Sequence, residues 1–160
     1  MEIMSSSPRC CSPGTDLAAA AMMMWDGDCG VLPIVGEDEK LRGVITDRDI
    51  CIALGSRHRR AEEMTVQEVS NGAVFSCRPE DDVHKALEIM GQHQVRRLPV
   101  TNPEGKLLGM LSINDLLFAV GKPDKGRKGS ELKGEEVLKT YQEICKSSRS
   151  KRQKRGAVAA

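Results

Sequence analysis

The heptad Gly43-Val44-Ile45-Thr46-Asp47-Arg48-Asp49 has a counterpart 66 residues later, Gly109-Met110-Leu111-Ser112-Ile113-Asn114-Asp115. Both follow the pattern Gly-apolar-x-Ser/Thr-x-x-Asp, and each begins ten residues after a proline that follows a leucine. One such heptad is weak evidence for a fold. Two at a fixed offset indicate that the chain contains the same structural unit twice.

The similarity extends well beyond the heptads. At the same offset, residues 2–55 align with residues 68–121 without a gap, and 14 of the 54 pairs are identical. A register held over that length predicts two copies of one supersecondary unit. One copy of about 55 residues buries too little apolar surface to be stable alone, so we expect the two copies to pack together.

Each copy is predicted to run helix, strand, strand, helix, after a short entering strand. The first helix begins after a predicted N-cap, Thr15 or Asp81, and in the second copy it carries an i, i+3, i+4, i+7 apolar stripe from Val83 to Met90. The closing helices are predicted to open at Asp47 and Asn114 and to end at glycines, Gly55 and Gly121. The predicted strands are residues 32–35, 41–45, 98–101 and 107–111, with entering strands near 2–4, 9–11, 67–69 or 74–76.

The heptad combines groups that suit a nucleotide. Its Ser or Thr lies where a strand gives way to a helix, so its hydroxyl neighbours unpaired N–H groups that attract an anion. The Asp, three residues later, offers two acceptor oxygens for a vicinal diol. The alternative is a capping box, in which the hydroxyl and the carboxylate only close the helix terminus. The two roles are compatible, and the sequence leaves both open.

Composition and charge restrict the class of protein. No apolar run is long enough for a membrane span and no signal peptide is visible, so we expect a cytoplasmic protein. The six cysteines form no C-x-x-C pair, which predicts reduced thiols. Residues 1–121 carry 12 Lys and Arg against 18 Asp and Glu, whereas residues 122–160 carry 12 against 5. An acidic body with a basic tail is therefore expected.

The repeated heptads and Leu-Pro strands resemble the CBS-domain pair, or Bateman module, over residues 1–121. The resemblance implies an α+β fold in which two β-α-β-β-α repeats, residues 1–60 and 67–121, pack with pseudo-two-fold symmetry. It also implies a stand-alone signal-transduction protein of the bacterial type. Its regulatory ligand would be an adenosine-containing nucleotide: AMP, ADP, ATP, NAD or S-adenosylmethionine.

The resemblance further implies two clefts, each taking the heptad of one repeat and an adenine pocket from the other. The first cleft would use Ser112 and Asp115 with Thr15, Ala20, Cys29, Gly30 and Val31. The second would use Thr46 and Asp49 with Asp81, Ala86, Val95 and Arg96. Arg97 matches a phosphate-contacting position in some relatives and favours the first cleft, while Arg48 offsets the acidic Asp81 in the second. A solvated strand start is the alternative for Arg96 and Arg97.

The run Met22-Met23-Met24-Trp25 is interpreted as a core-facing helix with adaptable side chains. Because members of the family dimerise through such helices, the resemblance implies a homodimer in which Trp25 marks the interface.

Residues 122–160 are predicted to form a charged linker up to residue 129, a short amphipathic helix over residues 135–146 and a disordered basic run over residues 146–155. The helix is expected to dock on the body or on a partner, because it is marginal alone. The basic run has no aromatic platform for bases, so we do not expect a nucleic-acid partner.

We therefore expect a regulatory nucleotide sensor that acts on another, unidentified protein. No Walker-type loop, nucleophile–base set or metal cluster is visible, so neither an enzyme nor a catalytic cofactor is expected. The alternative is a ligand-free interaction or dimerisation module, with nucleic-acid association through its basic tail as a further variant.

Overall fold

The computed structural model describes residues 3–70, 74–121 and 131–156, with residues 147–156 as main chain only. Helices and strands alternate in the predicted α+β order, and the two repeats have corresponding elements. The first repeat contains α1 (Leu17–Asp26), β2 (Val31–Val35), β3 (Leu41–Thr46) and α2 (Asp47–Arg57). The second contains α4 (Val83–His93), β4 (Arg97–Thr101), β5 (Leu107–Ser112) and α5 (Ile113–Ala119). The remaining elements are β1 (Ser5–Ser6), a 3-10 turn (Ala61–Glu63), α3 (Val66–Val69) and α6 (Gly134–Gly156).

The strands of each repeat form a hairpin. β2 pairs antiparallel with β3 in a register that places Val31 opposite Thr46 and Ile34 opposite Gly43. β4 and β5 are neighbours in a three-stranded sheet of order β1-β5-β4. Parallel bridges add Cys11 to β2 and Cys77 to β4. The open end of each hairpin therefore brings the start of α2 next to the start of β2, and the start of α5 next to the start of β4.

The N-cap of the first helix of each repeat lies one residue later than predicted. The N-caps are Asp16 and Asp82, whose side chains accept from Ala19 N–H and His84 N–H. Thr15 instead accepts from Ser12 N–H at 3.1 Å, so it closes the preceding turn. Asp81 does the same in the second repeat, where it accepts from the N–H of Arg78. The turn after each proline is thus one residue longer than expected.

The closing helices also differ from the prediction at their ends. Their N-caps are Thr46 and Ser112, one residue and two residues before Asp47 and Asn114. α2 continues past Gly55 to Arg57, because His58 takes the left-handed conformation that ends it. α5 ends at Ala119, before Gly121.

The chain forms two compact units, each with its own core. The first-repeat unit contains residues 6–70, 74–76 and Thr101–Gly109, and the second-repeat unit contains residues 3–5, Cys77–Val100, 110–121 and 131–156. The core of the first-repeat unit is Cys11, Leu17, Ala20, Met24, Leu32, Ile34, Ile45, Ile50, Ala53, Met64 and Val66. The core of the second-repeat unit is Cys77, Ala86, Leu87, Met90, Leu98, Val100, Leu111, Ile113, Leu116, Leu132, Val137 and Ile144. Most members of the two cores correspond at the 66-residue offset, which explains why the repeat is visible in the sequence.

One predicted entering strand is wrong. Residues 67–69 belong to the helical turn α3, which Thr65 and Glu68 close as a capping box. Val66 at its start is fully buried in the core of the first-repeat unit. Ile3 and Met4, at the beginning of the chain, pack on the core of the second-repeat unit. The sequence between the repeats therefore completes the first core.

The methionine-rich helix α1 only partly faces the core. Met24 is buried, but Met22 is 59% exposed and Trp25 is 83% exposed. The prediction of a core-facing run is therefore wrong for these two side chains, because the helical period turns their positions away from Met24.

The main chain of the tail is helical beyond the predicted residues 135–146. α6 runs from Gly134 to Gly156, and the disorder predicted for residues 146–155 stays a prediction. No Gly or Pro interrupts residues 135–155, and Lys, Arg and Gln are good helix formers. As expected, α6 docks on the body, where Val137, Thr140 and Ile144 are buried beside α4 and α5. The predicted linker, residues 122–129, lies outside the described residues.

Within the part of the chain that the structure describes, no helix is long and apolar enough to cross a bilayer.

Candidate functional site

The first heptad forms a complete capping box at the start of α2. The Thr46 hydroxyl donates to Oδ2 of Asp49 at 2.6 Å, and the Thr46 N–H donates to the same oxygen at 3.1 Å. In return, the Asp49 N–H donates to the Thr46 hydroxyl at 3.2 Å. Both side chains are half-buried. The capping role that the sequence left open is therefore present in the structure.

The second heptad repeats this geometry. Ser112 donates to Oδ2 of Asp115 through its hydroxyl at 2.7 Å and through its N–H at 2.7 Å, and the Asp115 N–H returns a bond at 3.2 Å. In both boxes the helix cap uses only Oδ2 of the carboxylate. No hydrogen bond to Oδ1 of Asp49 or Asp115 is found within the described residues. Each carboxylate thus keeps one acceptor oxygen for another partner.

The glycine that begins the first heptad is needed for packing. A Cβ at Gly43 would lie 3.3 Å from Cδ1 of Ile34 and 3.6 Å from Oγ of Ser70. The first distance is tighter than most Cβ contacts, so the glycine lets β3 lie closely against these two side chains.

The loop before β2 and the loop before β4 each contact the heptad of their own repeat. The N–H of Asp47 donates to the carbonyl of Gly30 at 3.3 Å, and the N–H of Ile113 donates to the carbonyl of Arg96 at 2.9 Å. The structure thus brings Gly30 and Val31 beside Thr46, and Arg96 beside the first residue of α5.

These loops also share a backbone conformation. Asp28 and Gln94, at the ends of α1 and α4, both have positive φ, 46° and 56°. Cys29 and Val95 follow them, and both N–H groups donate to a methionine carbonyl of the preceding helix. We call the heptad of a repeat, together with the loop before its hairpin, the half-site of that repeat. Because both repeats fold alike here, only the side chains distinguish the two half-sites.

The two half-sites carry different charges. In the first repeat, Gly30 lies beside Asp47, whose Oδ2 would be 2.9 Å from a Cβ at that glycine. In the second repeat, the corresponding residues are Arg96, which is exposed, and Ile113, which is buried. Arg97 is also exposed. The second half-site is therefore the more basic one.

Other predicted residues lie at the entry to α1 and α4. Ala20 and Ala86 are fully buried, with no exposed surface. Thr15 is bonded to Ser12, with 3.0 Å between the two hydroxyl oxygens. Asp81 forms an ion pair with Lys85 at 2.8 Å. Desolvation acts to raise the pKa of Asp81, but the hydrogen bond from Lys85 and that from the Arg78 N–H outweigh it and lower the pKa.

The predicted members of each cleft lie in different units. Thr15, Ala20, Cys29, Gly30 and Val31 belong to the first-repeat unit, together with Thr46, Arg48 and Asp49. Asp81, Ala86, Val95, Arg96 and Arg97 belong to the second-repeat unit, together with Ser112 and Asp115. Their pairing across the repeats stays a prediction.

Sequence reasoning missed three side chains near these half-sites. Lys85, which neutralises Asp81, is detectable as its i+4 neighbour on a helix. Asp47 stands inside the heptad, but its approach to Gly30 depends on the hairpin register. Tyr141 of α6 lies over Arg96, with the guanidinium carbon 5.8 Å from the ring centroid. Nothing in the local sequence links these two residues, which are far apart along the chain.

A metal site is not formed by the residues that the structure describes: they contain no group of three or more His, Cys, Asp or Glu side chains placed to hold an ion.

Comparison with known proteins identifies the family. The sequence profile of the CBS domain matches residues 1–56 and residues 66–122, which together make up most of the chain. The chain belongs to the CBS domain family. The resemblance seen in the heptads is therefore confirmed, and so is the α+β fold of two CBS repeats.

Two curated CBS relatives are similar over most of their length. Hypoxic response protein 1 of Mycobacterium tuberculosis is 33% identical over 115 residues, covering 72% of this chain and 80% of the relative. A CBS domain-containing protein of Bacillus subtilis is 31% identical over 131 residues, covering 82% and 90%.

Solved CBS structures share the fold. Hypoxic response protein 1, solved with two coordinated zinc ions, superposes with a TM-score of 0.67 at 33% identity, over 72% of this chain and 92% of that chain. A CBS domain protein from Pyrobaculum aerophilum, complexed with AMP, superposes with a TM-score of 0.66 at 25% identity, over 73% and 88%.

Proposed function

We propose that this CBS domain protein is a regulatory, non-catalytic module that binds an adenosine-containing small molecule and signals its presence to another protein. The observation that carries the proposal is the unused Oδ1 of Asp49 and of Asp115, each next to a hydroxyl at the start of a helix. The AMP complex of the Pyrobaculum aerophilum relative supports this choice of ligand.

The proposed roles follow from the chemistry of each group. The carboxylates of Asp49 and Asp115 accept hydrogen bonds from the two ribose hydroxyls, since a carboxylate oxygen accepts from a vicinal diol without needing a proton of its own. Thr46 and Ser112 hold these carboxylates in place through the capping boxes. The remaining predicted residues with exposed surface surround the base and the phosphate: Thr15, Cys29, Gly30, Val31, Arg48, Asp81, Val95, Arg96 and Arg97. Ala20 and Ala86, which have no exposed surface, support these residues from the core.

We assign the tighter binding of a phosphate-bearing ligand to the half-site of the second repeat. Arg96 and Arg97 precede β4, and a guanidinium binds phosphate with charge-assisted hydrogen bonds. At the corresponding place, the first repeat has Gly30 and Val31, with the carboxylate of Asp47 close to Gly30. A negative charge there opposes a phosphate by like-charge repulsion.

A ligand panel tests the proposal. Thermal denaturation is followed with AMP, ADP, ATP, NAD and S-adenosylmethionine, because a ligand that binds only the folded state stabilises it by roughly 2.7 kcal/mol at 100 times its dissociation constant. We expect at least one ligand to raise the melting temperature in a saturable way. Asp115→Asn is expected to weaken that response, and no response to any of the five would contradict the proposal.

A matched control separates ligand binding from helix capping. Glu68 closes α3 by the same capping-box geometry, accepting from Thr65 N–H at 3.1 Å. Glu68→Gln is expected to lower the melting temperature but to keep the ligand response.

The second candidate function is a protein-interaction or dimerisation module. It is favoured by exposed apolar side chains on the helices of both units, above all Trp25 at 83% in the first-repeat unit and Phe118 at 73% in the second-repeat unit. Large exposed apolar groups are typical of association surfaces. We propose a homodimer that uses the face of α1 that carries Trp25, which is compatible with ligand binding.

A further inference from the structure

The C-terminal helix α6 contacts the loop that joins α4 to β4 at two points. Nε2 of Gln94 donates to the carbonyl of Glu143 at 3.4 Å. Two residues later, the guanidinium carbon of Arg96 lies 5.8 Å from the ring centroid of Tyr141, within the range of a cation–π contact. One helix of the tail thus holds both sides of a short loop.

The docking of α6 on α4 is specific to this repeat. A Cβ at Gly91 would lie 3.8 Å from Cγ2 of Thr140 and 3.8 Å from Cβ of Glu143, so the glycine provides the space that α6 occupies. The residue that corresponds to Gly91 in the first repeat is Trp25, which is 83% exposed. A tryptophan at position 91 would fill the same space.

The loop that α6 holds is also the loop assigned to ligand binding. It carries Val95 and Arg96, and the carbonyl of Arg96 accepts from the N–H of Ile113, next to the Ser112 and Asp115 pair. The contact with Tyr141 holds the Arg96 guanidinium beside α6, and a phosphate that draws the guanidinium away from the ring ends this contact. The tail helix and a phosphate-bearing ligand therefore need the same side chain.

We propose that Tyr141 and the phosphate of the bound ligand compete for Arg96, so that ligand binding beside Arg96 loosens α6 and the helix reports occupancy of the site. The inference rests on the proposed function. By thermodynamic linkage, the factor by which the ligand weakens the docking of α6 equals the factor by which the docking of α6 weakens ligand binding. The competition also implies that the docking of α6 changes the affinity for phosphorylated adenosines but not the affinity for adenosine itself.

The magnitude follows from the strength of the contact. A cation–π contact at an exposed site is worth about 0.5–1 kcal/mol, which corresponds to roughly a two- to fivefold change in affinity. Removal of the tyrosine ring should tighten the binding of AMP by that factor, because Arg96 no longer has to leave it.

The test is a calorimetric titration of the full chain with AMP and with adenosine. Tyr141→Leu removes the ring, and Tyr141→Phe is the matched control that keeps the aromatic face. We expect Tyr141→Leu to bind AMP two- to fivefold more tightly than the wild type and Tyr141→Phe to bind it equally. Adenosine should bind all three proteins with the same affinity.

A double variant separates competition from a general effect on folding. In the Arg96→Gln background, Tyr141→Leu should no longer change the affinity for AMP, because the shared side chain is gone. Hydrogen exchange gives a second measurement: AMP, but not adenosine, should speed exchange of the amides of residues 138–145.

The outcomes distinguish this inference from the function on which it rests. AMP binding that Tyr141→Leu leaves unchanged, or weakens, overturns the competition but not the proposed function. A wild-type protein that binds neither AMP nor adenosine overturns the competition, and one that binds none of the five ligands of the panel overturns both. An equal gain in affinity for AMP and adenosine overturns the assignment of Arg96 to the phosphate.

Discussion

The hydroxyl of Thr46 donates a hydrogen bond of 2.6 Å to Oδ2 of Asp49, and the N–H of Asp49 donates back to that hydroxyl at 3.2 Å. The same reciprocal pair, Ser112 and Asp115, closes α5 in the second repeat. These pairs fix the helix termini whether or not a ligand is bound. Variants in them therefore change both stability and binding, and the two effects must be measured separately.

Removal of the first cap should destabilise the protein. Thr46→Ala deletes the acceptor for the Asp49 N–H and is expected to lower the free energy of unfolding by about 1 kcal/mol, within a range of roughly 0.5–2. Urea denaturation followed by circular dichroism measures the change. Thr46→Ser keeps the hydroxyl and should cost less, and equal losses for Ala and Ser would contradict the capping role.

Position 91 should tolerate a small side chain and reject a large one. Gly91 lies inside α4, and a Cβ there makes ordinary contacts at 3.8 Å. Gly91→Ala is therefore expected to stabilise the protein by about 0.5–1 kcal/mol, since alanine is the better helix former. Gly91→Trp should displace α6 and speed the hydrogen exchange of its amides. Destabilisation by alanine would show that the space between α4 and α6 is tighter than the structure indicates.

The ion pairs of His84 should make stability depend on pH. Its hydrogen bond to Asp82 at 2.6 Å raises the pKa of His84, as do the charges of Asp82 and of Glu136, 3.4 Å away. A raised pKa in the folded state means that the protonated form stabilises the fold. That contribution is complete below about pH 6.5, the usual histidine pKa, and is lost as the pH rises through the folded value.

The measurement compares the wild type with His84→Gln by urea denaturation at pH 5.5 and pH 8. We expect the difference in stability between the two proteins to be larger at pH 5.5. A difference that grows toward pH 8 would contradict the stabilising role of protonated His84.

The cysteines should differ in reactivity. Burial raises the pKa of the Cys11 thiol and of the Cys77 thiol to about 11 in each case. Both therefore hold little thiolate near neutral pH, whereas Cys51 is exposed. With iodoacetamide at pH 8, mass spectrometry of the native protein should show Cys51 alkylated well before Cys11 or Cys77. Equal rates before unfolding would contradict the burial of these two thiols.

Self-association should depend on the exposed ring of Trp25. Trp25→Ala removes the most exposed large apolar side chain of α1 and is expected to shift sedimentation-equilibrium profiles toward the monomer. Leu138→Ala is the control, since Leu138 is also exposed but belongs to α6. A wild-type protein that sediments as a monomer would contradict the proposed dimer.

The sequence predicted the elements well where the two repeats agree. Leu32, Leu98, Ile45 and Leu111 recur at one offset because each occupies the same place in a core, so the strands could be identified from the repeat. The capping boxes could be identified for the same reason, since each hydroxyl stands only three residues before its carboxylate.

The rest depends on contacts that have no local signal. The one-residue shift of the N-caps to Asp16 and Asp82 depends on how the preceding turn closes. The continuation of α6 beyond residue 146 followed from helix propensity, which a count of charged residues does not capture. The contact between Tyr141 and Arg96 joins two distant parts of the sequence that only the docking of α6 brings together.

Asp49 and Asp115 are each proposed to offer a ribose-binding oxygen to an adenosine-containing ligand. The decisive experiment is isothermal titration of the wild type, Asp49→Asn, Asp115→Asn and the double variant with AMP. We expect saturable binding to the wild type, weaker binding to each single variant and none to the folded double variant. Undiminished AMP binding by the double variant would contradict this proposal.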